Sequence, residues 1–153
     1  MRYQFLGAFL VLLFIDLGIK YCVNSEEYSS FTLIPSLLDF YLVKNTGVAF
    51  SFLSSSNLLV QTILVLVITA ALAFLVHSFF STKDKLQKIA LLLVISGGFG
   101  NFIERLVFGS VTDYLYLHLG SMPLFIFNFA DLLISIGACI IIFVWLSGNE
   151  QKD

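Results

Sequence analysis

Four apolar runs divide the chain: about Phe5 to Val23, Leu58 to Phe80, Leu86 to about Ile103, and about Ala130 to Leu146. A bilayer hydrocarbon core of ~30 Å takes ~20 mostly apolar residues per helix, so each run predicts a transmembrane span. Between them lie segment 24–57, a short polar connection from Ser81 to Lys85, and segment 104–129. The first run follows Arg2 as a signal peptide would, yet it carries Asp16 and Lys20 and lacks a small-x-small cleavage site. It is expected to be a permanent span. Phe31 to Phe52 differs in kind: β-branched and aromatic residues dominate, with Pro35 and Gly47 as breakers, which predicts short strands. The expected fold is therefore four transmembrane helices with a small β-sheet on the outer membrane face, forming a single membrane-embedded domain over residues 1–153.

Composition agrees. Of 153 residues, 59% are apolar and 12% charged, against ~45–50% and ~25% in soluble domains. A chain this short has too little interior to hide that much hydrocarbon from water. A net charge of −2 gives neither the basic surface of a nucleic-acid binder nor the charged composition of a disordered chain, so no nucleic-acid partner is expected. Cys22 and Cys139 have no ligand or disulfide spacing and read as small apolar fillers. Positive charge sets the orientation: Arg2, Lys83, Lys85, Lys88 and Lys152 flank the same ends of the spans, which marks that side as cytoplasmic. Both termini are then expected inside, and the two long segments outside.

In so apolar a chain the informative groups are ionisable and amide side chains within spans or at their ends, since each needs a partner or a function. Asp16 and Lys20 lie four apart on one helical face and predict a structural ion pair. Asn101, Glu104 and Arg105 close the third span, Asp113 follows, and Asn128 and Asp131 open the fourth. All of these except Asp16 are expected near the outer boundary, where a compact bundle would gather them. Two aspartates forced together at low dielectric cannot both ionise, and a shared proton equips them to activate water against a peptide carbonyl. Other readings stand beside this one: Asp131 as a helix-capping acid, Asp113 as a solvated loop acid, and Gly97, Gly98 and Gly100 as sites of close helix approach. His77 and His118 are isolated. No His-Glu metal motif, paired cysteines, Gly-x-Ser-x-Gly or phosphate loop offers a different chemistry.

At these residues the sequence resembles the lipoprotein signal peptidases, signal peptidase II, aspartic peptidases of the bacterial inner membrane. Asp16-Leu-Gly-Ile-Lys20 is similar to the family's Asp-x-x-x-Lys, and Lys44-Asn-Thr-Gly-Val-Ala-Phe-Ser51 to its Asn-x-Gly-x-Ala-Phe-Ser stretch. Gly100-Asn-Phe-Ile-Glu-Arg105 with Gly109-Ser-Val-Thr-Asp-Tyr114, then Phe127-Asn-Phe-Ala-Asp131, resemble the two blocks that carry the family's aspartates. Glu104 departs from the family's usual Asp.

The resemblance implies that Asp113 and Asp131 form the catalytic dyad, and that Asn45, Gly47, Asn101, Arg105, Asn128 and Ala130 line or shape the site. It implies an endopeptidase at the membrane interface that removes signal peptides from diacylglyceryl-modified prolipoproteins, on the amino side of the lipidated cysteine. No metal or organic cofactor is required. The expected partners are prolipoproteins and membrane lipid, and the expected state is a monomer. A proton-coupled transport or assembly protein using the same carboxylates is the competing reading. Transporters tend to place such groups near the bilayer midplane or in repeated, broken helices.

Overall fold

The computed structural model describes residues 2–25, 29–47 and 58–149. Four helices, α1 (Arg2–Ser25), α2 (Leu58–Ser81), α3 (Lys85–Phe108) and α4 (Phe129–Asn149), alternate with four strands, β1 (Phe31–Ile34), β2 (Leu38–Asn45), β3 (Val111–Leu119) and β4 (Met122–Phe127). All four helices are long and apolar enough to cross a membrane. Their exposed surface is hydrocarbon: Val11 and Phe14 on α1, Leu66 and Phe74 on α2, and Phe143 and Trp145 on α4 all point outward. In water such an arrangement would be unstable; in lipid these side chains face their own solvent, while Asp16, Lys20, Glu104 and Arg105 are buried in the interior. Cys22 and Cys139 are exposed on this same surface and are not interior fillers.

Helix α3 is the axis of the bundle, with α1, α2 and α4 all packed against it. Its glycines explain how. A Cβ on Gly97 would strike the Ala130 carbonyl oxygen of α4, one on Gly98 would lie 2.8 Å from Leu72 of α2, and one on Gly100 would strike the Asp16 carboxylate of α1. Three small residues within four positions thus admit three different helices, the close approach that membrane packing relies on when water supplies no driving force. Asp84 caps the start of α3, its carboxylate accepting from Gln87 N at 2.6 Å, and Gly109 ends it in the left-handed region at φ 70° with its N–H on Arg105 O. The third helix consequently runs past Glu104 and Arg105 to Phe108, where the apolar run alone suggested an end near Ile103.

The strands form one antiparallel sheet in the order β1-β2-β3-β4, placed where α1 and α3 end and α4 begins. The first long segment supplies the strands expected of it between Phe31 and Asn45; Val48 to Phe52 lie outside the described residues. The second supplies β3 and β4, which the residue pattern did not announce. Pro123 is accommodated because β4 is an edge strand. The β2–β3 register sets Lys44 opposite Thr112 and Asn45 opposite Val111. Alternation of side chains then places Asn45 and Asp113 diagonally on one face, and Lys44 with Thr112 on the other.

Away from the sheet, Gly137 of α4 meets α3 so closely that a Cβ would come within 2.6 Å of the Ala90 carbonyl oxygen. A backbone atom cannot step aside as a side-chain tip can. Gly137→Ala is expected to destabilise the α3–α4 pair by about 1–3 kcal/mol, read as a lowered melting temperature in detergent.

Candidate active site

The start of α4 is where the polar residues converge. The first helical N–H groups have no partner within their own helix and must find acceptors elsewhere. Phe129 N donates to the Tyr114 hydroxyl at 3.1 Å, Ala130 N to Asp16 Oδ1 at 3.1 Å, and Asp131 N to Asn128 Oδ1 at 3.0 Å. Asp131 returns the last bond, its Oδ2 accepting from Asn128 N at 3.1 Å. This reciprocal pair is a capping box, with Asn128 at the cap and Asp131 three residues on. The helix-cap reading of Asp131 is therefore correct as structure, and it leaves the side chain's other oxygen available elsewhere.

That oxygen, Oδ1, accepts from Asn101 Nδ2 at 2.8 Å. Asn101 is in turn oriented by Lys20, whose ammonium donates to Asn101 Oδ1 at 2.6 Å. A cation on the oxygen leaves only the amide N–H₂ to face Asp131. Lys20 also pairs with Asp16 at 2.9 Å and with Glu104 at 3.6 Å, so the expected Asp16–Lys20 ion pair is present and belongs to a larger network. Asp16 was expected to lie apart from the others; its bond to Ala130 N brings it into the same cluster.

Asp113 is held from two sides. Its Oδ2 accepts from Asn45 Nδ2 at 2.9 Å and its Oδ1 from Asn128 Nδ2 at 2.6 Å, so the fully buried Asn128 joins the two aspartates, its side-chain amide on one and its backbone N–H on the other. Burial pushes the Asp113 carboxyl up from 3.8 to about 6; the hydrogen bond from Asn45 opposes this, and the Asp131 charge adds to it. The neighbouring Tyr114 hydroxyl is pushed up to about 12, chiefly by burial, and stays protonated.

Two adjacent residues at the end of α3 anchor the strands. Glu104 accepts from Thr112 N at 2.8 Å and from the Thr112 hydroxyl, gripping β3 one residue before Asp113. The same hydroxyl accepts from Lys44 Nζ at 2.8 Å and Asn24 Nδ2 at 2.9 Å. Arg105 sends its guanidinium to the carbonyls of Asn45 and Gly47, and Gly47 N closes a turn on Asn45 Oδ1 at 2.9 Å. Arg105 thus fixes the backbone that presents Asn45.

Asp113, Asp131, Asn45, Gly47, Asn101 and Arg105 all line a cavity of about 570 Å³. Its far wall is apolar and made from the spans, with Ile68 of α2, Gly98 of α3 and Ile134 of α4. Asn128 and Ala130, expected to line or shape the site, lie fully buried behind it and act through the aspartates and the α4 backbone. Asn24, Thr112 and Tyr114 were not singled out from the sequence. Thr112 and Tyr114 flank Asp113 directly within the Gly109–Tyr114 block, which is the signal that could have raised them.

A bundle of membrane-spanning helices with two carboxylates on one cavity is the layout of a membrane-embedded aspartic hydrolase. Residues 8–147 match the model of the family described as signal peptidase (SPase) II, and the chain belongs to that family. Similar proteins named lipoprotein signal peptidase include one from Allorhizobium ampelinum, 36% identical with 84% of this chain and 79% of that protein covered. Another, from Vibrio parahaemolyticus, is also 36% identical, with 98% and 90% covered. A solved structure described as a bacterial membrane enzyme has a TM-score of 0.79 and 27% identity, covering 98% of this chain and 92% of its own. The protein is a signal-peptide-cleaving aspartic peptidase, a multi-pass protein of the bacterial inner membrane, and the transport reading is not favoured.

Two outcomes follow from the site's electrostatics. Glu104→Ala would leave Lys20 with one charged partner fewer and Thr112 N without its acceptor. Breaking a buried pair in this way costs about 3–5 kcal/mol, so a marked drop in melting temperature is expected, with Glu104→Asp in between. Asp113 gives a pH effect of definite sign. Its folded carboxyl keeps a proton that the unfolded chain releases near 3.8, so this contribution to stability is full below that pH, is lost as pH rises to about 6, and is constant above. The loss amounts to roughly 3 kcal/mol. Melting temperature against pH should fall across this window in the parent, and Asp113→Asn should flatten that part of the curve.

Proposed function

We propose that Asp113 and Asp131 are the catalytic dyad. One carboxylate takes a proton from a water held between them as that water attacks the scissile carbonyl carbon. The other, protonated, donates to the carbonyl oxygen as negative charge develops there. The observation that carries this reading is the orientation of the pair. All four carboxylate oxygens receive one N–H donor each, from Asn45, Asn101 and both donors of Asn128, while both groups face the same cavity. Donors fixed before substrate arrives need not reorganise during reaction. The Asp113 carboxyl, pushed up to about 6 by burial, is able to carry the shared proton.

The substrate is a prolipoprotein cut on the amino side of a cysteine that already carries diacylglyceryl. The mixed lining of the cavity suits this amphiphile, since the polar end meets the peptide and the wall of spans meets the signal helix and acyl chains. Asn101, Arg105 and Asn128 order the groups around the dyad, and the segment from Phe31 to Phe52 cradles the chain as it leaves the membrane. The distribution of positive charge supports cytoplasmic termini and a site at the outer face. The protein works as a monomer without a cofactor, and residues 1–153 act as one membrane-embedded domain.

Cleavage of a lipid-modified prolipoprotein by the purified protein in detergent tests the dyad. Asp113→Asn and Asp131→Asn should each lower turnover by about a thousandfold or more. Parental turnover in either variant would refute the assignment. Because Asp131 also caps α4, melting temperatures of the two variants separate lost chemistry from lost fold.

A further inference from the structure

At the end of the bundle away from the aspartates, α1 and α2 flank α3 and leave a groove of about 490 Å³. This is within the range of small-molecule sites, ~300–1,000 Å³. Its floor is one face of α3, where Lys88, Leu92, Ile95 and Phe99 follow at spacings of four, three and four. Phe9 of α1 and Phe79 of α2 are among the side chains that wall it. At ~1.5 Å per residue the floor runs about 16 Å, close to the hydrocarbon depth of one leaflet, half of ~30 Å. The groove has polarity at one end only. Lys88 Nζ stands 5.7 Å from the centroid of the Phe79 ring, in the first turn of α3.

Among the described residues no carboxylate lies within ion-pair distance of Lys88. The nearest acid in sequence, Asp84, is engaged as the α3 cap. Among the described residues, this cation, held against an aromatic face at the head of an apolar channel one leaflet deep, has no anionic partner. Basic pockets between spans recruit lipid headgroups on this electrostatic basis.

We propose that the groove holds one acyl chain of an anionic glycerophospholipid from the leaflet opposite the aspartates, with its phosphate paired to Lys88. A zwitterionic lipid would fill the same channel, but its own headgroup cation would oppose Lys88. The bound chain would complete the contact between α1 and α2, which meet chiefly through α3 and through the edge-on pair Phe5 and Phe79 at 5.4 Å.

Titration of the delipidated protein in detergent with phosphatidylglycerol or phosphatidylcholine of identical chains, followed by native mass spectrometry, tests this without requiring cleavage. The first phosphatidylglycerol should bind about fivefold more tightly than the first phosphatidylcholine. Lys88→Gln should abolish that preference, while Lys88→Arg and Lys83→Gln keep it. Val76→Trp, which fills the channel wall, should weaken both lipids. Equal affinity of the parent for the two lipids, a preference that survives Lys88→Gln, or a second copy of the chain occupying the groove would each overturn the proposal.

Discussion

The buried ammonium of Lys20 is the interaction on which the rest of the polar architecture depends. A lysine inside a membrane bundle is costly unless its donors and its charge are both met, and here Asp16, Glu104 and Asn101 meet them. Each partner reaches further. Asp16 continues to the first turn of α4, Glu104 to the strand that carries Asp113, and Asn101 to Asp131. One cation near the end of α1 thereby sets the relative placement of α3, α4 and β3, and the two aspartates inherit their positions from it.

Structural and functional duties are combined in the same atoms. Asp131 and Asn128 close a capping box that any helix could use, yet the amide left over from Asn128 reaches Asp113 and the oxygen left over from Asp131 reaches Asn101. The two readings of Asp131 open at the outset, cap and site acid, are compatible because a carboxylate has two oxygens. Asn45 divides its side chain in the same way, its carbonyl closing the Gly47 turn and its amide holding Asp113. With no spare donors in lipid, sharing is how a small bundle satisfies a dense polar cluster.

What could be read from the sequence followed the range of the physics involved. Apolar runs announced the four spans because lipid imposes a length on each helix, and the Asp16–Lys20 pair followed from local helical spacing. The apolar run stops near Ile103 while α3 continues to Phe108; Glu104 and Arg105 are tolerated in the helix because Lys20 and the carbonyls of Asn45 and Gly47 receive them. Asn24 was not legible, since its partner Thr112 is 88 positions away. Strands β3 and β4 were missed for a related reason: β3 is held in the sheet by its non-local pairing with β2, and β4 pairs only with β3. Ala130 and Asn128, which the motif gave as lining or shaping the site, lie buried behind the cavity and hold its groups from there.

The great sequence distance between Asp16 and Ala130, 114 positions, has a consequence in time. Chains enter the membrane from the N-terminus, so α1 is the first span to lose water and α4 the last. While α1 waits, Asp16 and Lys20 neutralise each other four residues apart, which lowers the cost of carrying two charges into lipid. The cap of α4, Asn128 and Asp131 arrive only at the end of synthesis. A half-inserted chain therefore has no paired aspartates, and the polar cluster that joins them closes only when the last helix docks.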